Sequence, residues 1–267
     1  MDTPNLSLAV DGGVARLALA RPEARNALGL DDIEALLHTL EELDGREDVR
    51  VVLLEGKGKT FCVGVDIKQA AANMMSEGSI PPADELRAVA DLGARMLATL
   101  DQLSAVTVAS VHGHAIGGAF LLLAACDLRV AAEDTVFAIP EVNLGMPFTW
   151  NGVPMVIREL GPSRARELVL TGRRFGPADL AGTGFLTHTV PAAERAQRTD
   201  ELVGSLAAKP PLALRQIKLQ FTQALTPEAV ATHTSDPDLF ATAVHDPGFL
   251  PAAMAYLQRL SGRDRPR

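Results

Sequence analysis

Residues 111–145 read VHGHAIGGAFLLLAACDLRVAAEDTVFAIPEVNLG, and this stretch decides the fold. The apolar run Val106 to Val111 leads into it and has the length and β-branched content of a strand buried on both faces. After a glycine-bearing turn, Gly117 to Ala125 carries no polar side chain, which predicts a buried helix. Asp127 to Ala132 reads as a fourth strand and Thr135 to Ile139 as a short fifth. Strand, turn, helix and strand thus follow one another in quick succession. The stretch closes on IPEVNLG, where Glu141 stands alone in apolar sequence behind Pro140. A buried, unpaired carboxylate is costly, so Glu141 is expected to have either a partner or a use.

Outward from this centre, Leu6, Leu8 and Val10 alternate up to Asp11-Gly12-Gly13, and Val14 to Ala20 resumes the pattern, predicting a hairpin. Ile33, Leu36, Leu37, Leu40 and Leu43 recur at helical spacing, with Asp31 and Glu34 offering a capping box. Val49 to Leu54 is predicted as another buried strand. Ala70 to Pro82 has no steady period and is expected to be a mobile excursion of the sort that covers a ligand. From Gly152 onward the pattern is mostly helical, broken at Gly161-Pro162 and Lys209-Pro210-Pro211. The final SGRDRPR is expected to fray.

The 267 residues, 47% hydrophobic, suffice for one large domain or a core with an appendage. With 25 basic and 33 acidic residues the net charge is −8, which argues against nucleic-acid and anionic-membrane partners and for a small molecule. Two cysteines, Cys62 and Cys126, and no His/Cys cluster make a structural metal or disulfide framework improbable. The first ten residues alternate like a strand and lack a basic leader, so a cytoplasmic protein is expected. Val106 to Ala125 is interrupted by His112, His114 and glycines and makes a poor bilayer span.

Two glycine-bearing turns, KTFCVGVDIK (59–68) and VHGHAIGGAF (111–120), each follow a buried strand. Each is able to aim backbone N–H groups at a ligand, the outline of an anion or oxyanion site. Close packing alone accounts equally for one glycine pair.

These turns, with ARPEARNAL (20–28), the 111–145 stretch and ELVLTGRRF (167–175), resemble the successive motifs of the crotonase family, the enoyl-CoA hydratases and isomerases, in order and spacing. The resemblance covers most of residues 8 to 190. It implies an α/β, crotonase-type spiral of β-β-α repeats, with a core over 1–200 and a C-terminal helical trimerisation region over 201–267. It also implies an acyl-CoA thioester as substrate, with coenzyme A as part of that substrate and no further cofactor, and a homotrimer or dimer of trimers.

Carried over by position, the resemblance puts the two oxyanion donors on the backbone N–H groups of Val65 and Gly118. It puts Glu23, Ala24 and Arg25 along the CoA, and Asp66, Ile67 and Lys68 in the loop beside the thioester. Val65 departs from the family's usual alanine. Hydratases of the family use two glutamates; one falls on Glu141, but the other position is Leu121, which neither holds nor deprotonates water. The resemblance therefore implies an isomerase that moves a double bond with Glu141 as a single proton carrier. A hydratase or lyase with a replaced second acid, and a non-catalytic CoA-binding scaffold, stand as alternatives. Thr149 replaces the aspartate that dienoyl isomerases place eight residues after the glutamate. Glu77, Asp84 and Glu85 are candidates to supply a second carboxylate. Arg158 is the candidate partner if Glu141 is structural, while His112, His114 and Cys62 have bland structural readings. Phe148 and Trp150 are expected in the core or along the acyl pocket.

Overall fold

The computed structural model describes residues 5–78, 80–225, 241–242, 244–245 and 247–263. The chain opens with the expected hairpin, β1 (Leu6–Asp11) antiparallel to β2 (Val14–Leu19). Both turn residues have positive φ, +57° at Gly12 and +85° at Gly13, which is why two glycines close it. β3 (Val51–Gly56), β4 (Val106–Val111), β6 (Leu128–Ala132) and β9 (His188–Val190) then add in parallel, giving a six-stranded sheet ordered β1-β2-β3-β4-β6-β9. A smaller sheet, ordered β5-β7-β8, is built from β5 (His114–Ile116), β7 (Val136–Ala138) and β8 (Arg174–Phe175). A bridge from Cys62 to Ala115 extends its line by one more segment. Successive passes of the chain thus add a rung to both sheets. β5, β8 and β9 are too short to show a period in sequence.

The helix α1 (Leu30–Asp44) buries Ile33, Leu36, Leu37, Leu40 and Leu43, the stripe the spacing predicted. Its cap is not the expected Asp31/Glu34 pair: the Asp32 carboxylate accepts the Gly29 N–H at 2.8 Å. The same carboxylate takes a bond from Asn5 Nδ2, also 2.8 Å, tying the cap to the first strand.

The expected excursion over Ala70 to Pro82 is corrected for its first part: α2 runs Ile67–Glu77, and only the residues after it, up to Pro82, are non-helical where described. Asp66 caps it by accepting the Gln69 N–H at 3.1 Å, and Gly78, at φ +67°, ends it. Its outer residues face solvent, with Met75 73% exposed, so no buried stripe was required. α3 (Ala83–Gln102) follows and packs on α1.

α4 (Gly118–Ala124) is buried along its whole length, which explains its unbroken apolar sequence. α5 (Gly152–Leu160) and α6 (Pro162–Thr171) part at Gly161, and α7 (Arg195–Ala207) and α8 (Pro211–Leu225) part at the Lys209-Pro210 break. α9 (Phe249–Arg263) is the last described helix. α7 lays Val203 and Ala207 on Val51, Leu53 and Val108 of the large sheet, and the boundary expected at residue 200 falls inside it. Residues 264–267 of the expected frayed tail lie outside the described residues. No helix among the described residues is long and apolar enough to cross a membrane.

Candidate active site

Three segments run side by side to make the site. Leu28 N–H donates to Gly64 O at 2.8 Å and Asp66 N–H to Leu28 O at 2.9 Å, fixing residues 26–28 beside 64–66. Cys62 N–H donates to His114 O at 3.0 Å and Ile116 N–H to Cys62 O at 3.3 Å, fixing 62–64 beside 114–116. The approach is close enough that a Cβ on Gly64 would stand 2.4 Å from Ile116 O and 3.4 Å from the Gly118 nitrogen. Only glycine, here at φ +81°, fits that position. The two turns singled out in the sequence are therefore adjacent. Among the described residues, the N–H groups of Val65 and Gly118 donate to no backbone or side-chain acceptor. Val65 is 40% exposed, so its branched side chain is not packed into the core.

Glu141 reaches this point through the small sheet. Ile116 pairs with Ala138, and Gly117 N–H donates to Ala138 O at 2.9 Å, so the chain leaving β7 through Ile139 and Pro140 passes beside Gly117. Residues Glu141–Leu144 form a single 3-10 turn closed by Gly145 at φ +72° and pinned by Asn143 Nδ2 to Gly172 O at 3.0 Å. A Cβ on Gly117 would stand 2.6 Å from Glu141 Oε1, which places the carboxylate over the residue next to the Gly118 N–H. Glu141 as a residue keeps some exposure, but its Oε2 is closed from solvent and has no hydrogen-bond partner. Burial lifts its carboxyl from 4.5 to about 7, opposed only by its own backbone N–H.

The alternative in which Arg158 neutralises Glu141 is corrected by the structure. Arg158 forms a two-point pair with Asp101, at 2.8 and 3.1 Å, and donates to Glu159 at 3.0 Å. The second-acid position is apolar in space as well as in sequence: Leu121 is 1% exposed and meets Phe148 over Gly152, whose Cβ would be 3.0 Å from Leu121 and 2.8 Å from Phe148. Asp84 and Glu85 stand exposed in the first turn of α3, and the Glu77 side chain lies outside the described residues.

The residues expected along the CoA form one rim. Glu23 and Ala24 lie in a 3-10 turn, Pro22–Ala24, and Arg25 follows at φ +55°. Asp66, Ile67 and Lys68 open α2. Arg21 joins the two groups by donating to Asp66 at 2.9 Å, so Asp66 both caps α2 and holds the rim together.

A residue the sequence did not flag positions this rim. Buried Asn26, at φ +56°, donates from Nδ2 to the carbonyls of Lys57, Thr60 and Phe61 at 2.8–3.0 Å, and its Oδ1 accepts the Arg21 N–H at 2.9 Å. Cys62 keeps its bland reading, with a thiol pushed up to about 12 by burial and bonded to Asn26 O at 2.9 Å. His112 bonds Gly58 O at 2.9 Å through Nε2, and burial lowers its pKa.

Paired backbone donors beside an unneutralised carboxylate make a site for charge developing on a carbonyl oxygen next to an acidic carbon. The chain matches the family model described as enoyl-CoA hydratase/isomerase over residues 9–261. It belongs to the enoyl-CoA hydratase/isomerase family. Among relatives of this family, the enoyl-CoA isomerase/hydratase fer4 of Mycosarcoma maydis is 33% identical over 216 residues, 78% of this chain and 76% of fer4. The short-chain-enoyl-CoA hydratase of Clostridium acetobutylicum is 27% identical over 219 residues, covering 82% of this chain and 81% of that protein. The crystal structure of an enoyl-CoA hydratase from Mycobacterium avium subsp. paratuberculosis superposes with a TM-score of 0.84 at 23% identity, covering 95% of this chain and 99% of the other. The two stacks of strands are thus the crotonase spiral of the family.

Proposed function

We propose that this enzyme isomerises enoyl-CoA thioesters, moving a double bond from the 3 to the 2 position through an enolate, with Glu141 as the sole proton carrier. The observation that carries the reading is the pairing of Glu141, unneutralised and lifted to about 7, with an apolar Leu121 where a second acid would hold water. A carboxyl poised near neutral pH has its base and acid forms both populated, as a carrier needs.

In this reading the thioester oxygen sits between the N–H groups of Val65 and Gly118. Glu141 takes a proton from C2 of the 3-enoyl chain, and the electron pair delocalises onto the oxygen held by those donors. The same proton then returns to C4, the double bond comes to rest between C2 and C3, and nothing is added or lost. Each backbone donor stabilises the developing oxyanion by about 3 kcal/mol in comparable sites. Arg25 and Lys68, both exposed on the rim, suit the phosphates of coenzyme A. The exposed apolar residues Leu212, Ile217, Leu219 and Phe221 of α8 support a homotrimer, or a dimer of trimers, which light scattering on the purified protein tests. Glu141 also weighs against a pure scaffold, for which a buried, unpartnered carboxylate is only a cost.

Purified protein is incubated separately with 3-enoyl-CoA and 2-enoyl-CoA, and the products are separated by mass. Conversion of the first with little water addition to the second is expected. Hydration as the main reaction of both would overturn the reading, as would full activity in Glu141→Gln.

A further inference from the structure

Trp150 and Asn151 have φ of +59° and +55°, two consecutive non-glycine residues in the left-handed region. Such backbone persists only where its surroundings hold it. Here the indole is what is held. A Cβ on Gly93 of α3 would stand 2.1 Å from Trp150 Cε2 and 2.2 Å from Nε1. A Cβ on Gly118 would stand 2.6 Å from Cζ3 and 3.0 Å from Cη2. The ring therefore fills the gap between α3 and α4, seated on a glycine at each side, and only 6% of the residue is exposed.

The Gly118 end of this seat is the residue whose N–H faces the thioester oxygen in the proposed function. On the neighbouring side Glu141 closes over Gly117, and beyond the indole Leu121 and Phe148 meet over Gly152. An acyl chain that left the carbonyl on the side of Gly118 where a Cβ would stand would meet the benzo ring of Trp150, whose Cζ3 and Cη2 lie 2.6 and 3.0 Å from that point. We propose that Trp150 is the floor of the acyl pocket, restricting the enzyme to short acyl chains, with Gly93 and Gly118 as its seat. The proposal rests on the acyl-CoA reading above but concerns chain length, which that reading leaves open.

The test uses saturated acyl-CoAs, which lack the double bond to be moved, and measures their affinities for the full-length protein by calorimetry across butanoyl, hexanoyl, octanoyl and decanoyl chains. Burying a methylene is worth about a fourfold gain in affinity. The wild type is expected to stop gaining at the short end, with decanoyl-CoA no better than hexanoyl-CoA. Trp150→Ala is expected to gain about fourfold per added methylene beyond that point, and Trp150→Leu, which leaves a large apolar side chain in the seat, to shift the ceiling by less. Thermal melting checks that each variant is folded, and Trp150→Leu carries the test if Trp150→Ala is not. An unchanged ceiling in a folded variant, or a wild type that already gains through decanoyl, overturns the proposal. Failure of the wild type to bind any chain length would instead overturn the acyl-CoA reading, and this proposal with it.

Discussion

Replacing Glu141 by glutamine tests the state of the carboxyl without touching its shape. In the unfolded chain this group titrates near 4.5, and in the folded protein burial lifts it to about 7. Between those values the folded protein holds a proton that the unfolded chain has released. The carboxyl's contribution to stability is therefore greatest at and below pH 4.5, falls as the pH rises, and levels off above about 7. At about 1.4 kcal/mol per pH unit, the whole change is about 3 kcal/mol, of which about 2–3 kcal/mol falls between pH 5 and pH 8. Glutamine has no such dependence. Urea denaturation of wild type and Glu141→Gln at both pH values is expected to show the variant gaining by that amount at pH 8 relative to pH 5. Other titrating groups cancel in the difference. A gap that does not change between pH 5 and pH 8 would show Glu141 ionised in both states, as a carboxylate paired with a cation is, and a gap that shrinks as pH rises would equally exclude a raised pKa.

The same substitution is expected to lower kcat for double-bond migration by about 10²–10⁴-fold while leaving acyl-CoA affinity nearly unchanged, read by steady-state kinetics and calorimetry. In the wild type, kcat/KM is expected to rise with pH through about 7, as Glu141 ionises to the base that takes the C2 proton. Asn26→Ala strands three backbone carbonyls and is expected to cost about 3 kcal/mol in chemical denaturation, with weakened CoA binding because the rim loses its pin. Gly117→Ala forces a side chain into φ +57°, ψ −123° and toward Glu141 Oε1, and is expected to cost about 3 kcal/mol of stability and to depress activity further than stability explains. Leu121→Glu puts a carboxylate against Phe148 and is expected to lower stability by about 3 kcal/mol or more, measured by the same denaturation.

Where one face or one whole element is buried, the pattern was legible. The stripe of α1, the doubly buried strands β3 and β4, and the unbroken apolar run of α4 all follow from burial. α2 is hidden in the sequence because its outward residues have no stripe to show, although Asp66 and Gly78 mark its two ends. The cap of α1 was displaced because Asp32 serves two donors at once, Gly29 N–H and Asn5, and the second lies 27 residues away. Of the site, Glu141 stood out as a lone carboxylate, and Leu121 as the apolar residue at a position the family reserves for an acid. The fate of Arg158 was not readable, since its partner Asp101 lies 57 residues earlier and nothing local distinguishes it from other acids. Asn26 was missed for a related reason: its acceptors are main-chain carbonyls 31–35 residues on, which leave no mark on residue identity. Its position in ARPEARNAL, followed by a buried Ala27 and Leu28, was the available hint.

In the proposed reaction one carboxyl carries one proton from C2 to C4. The direct measurement is turnover of a 3-enoyl-CoA carrying deuterium at C2, with the position of the label in the product read by NMR. Because Glu141 Oε2 is closed from solvent, a substantial share of the deuterium is expected at C4 of the 2-enoyl product, and none of it when Glu141 is replaced by glutamine. A product with no deuterium at C4, or one in which water has added across the double bond, would mean that Glu141 is not the carrier of that proton.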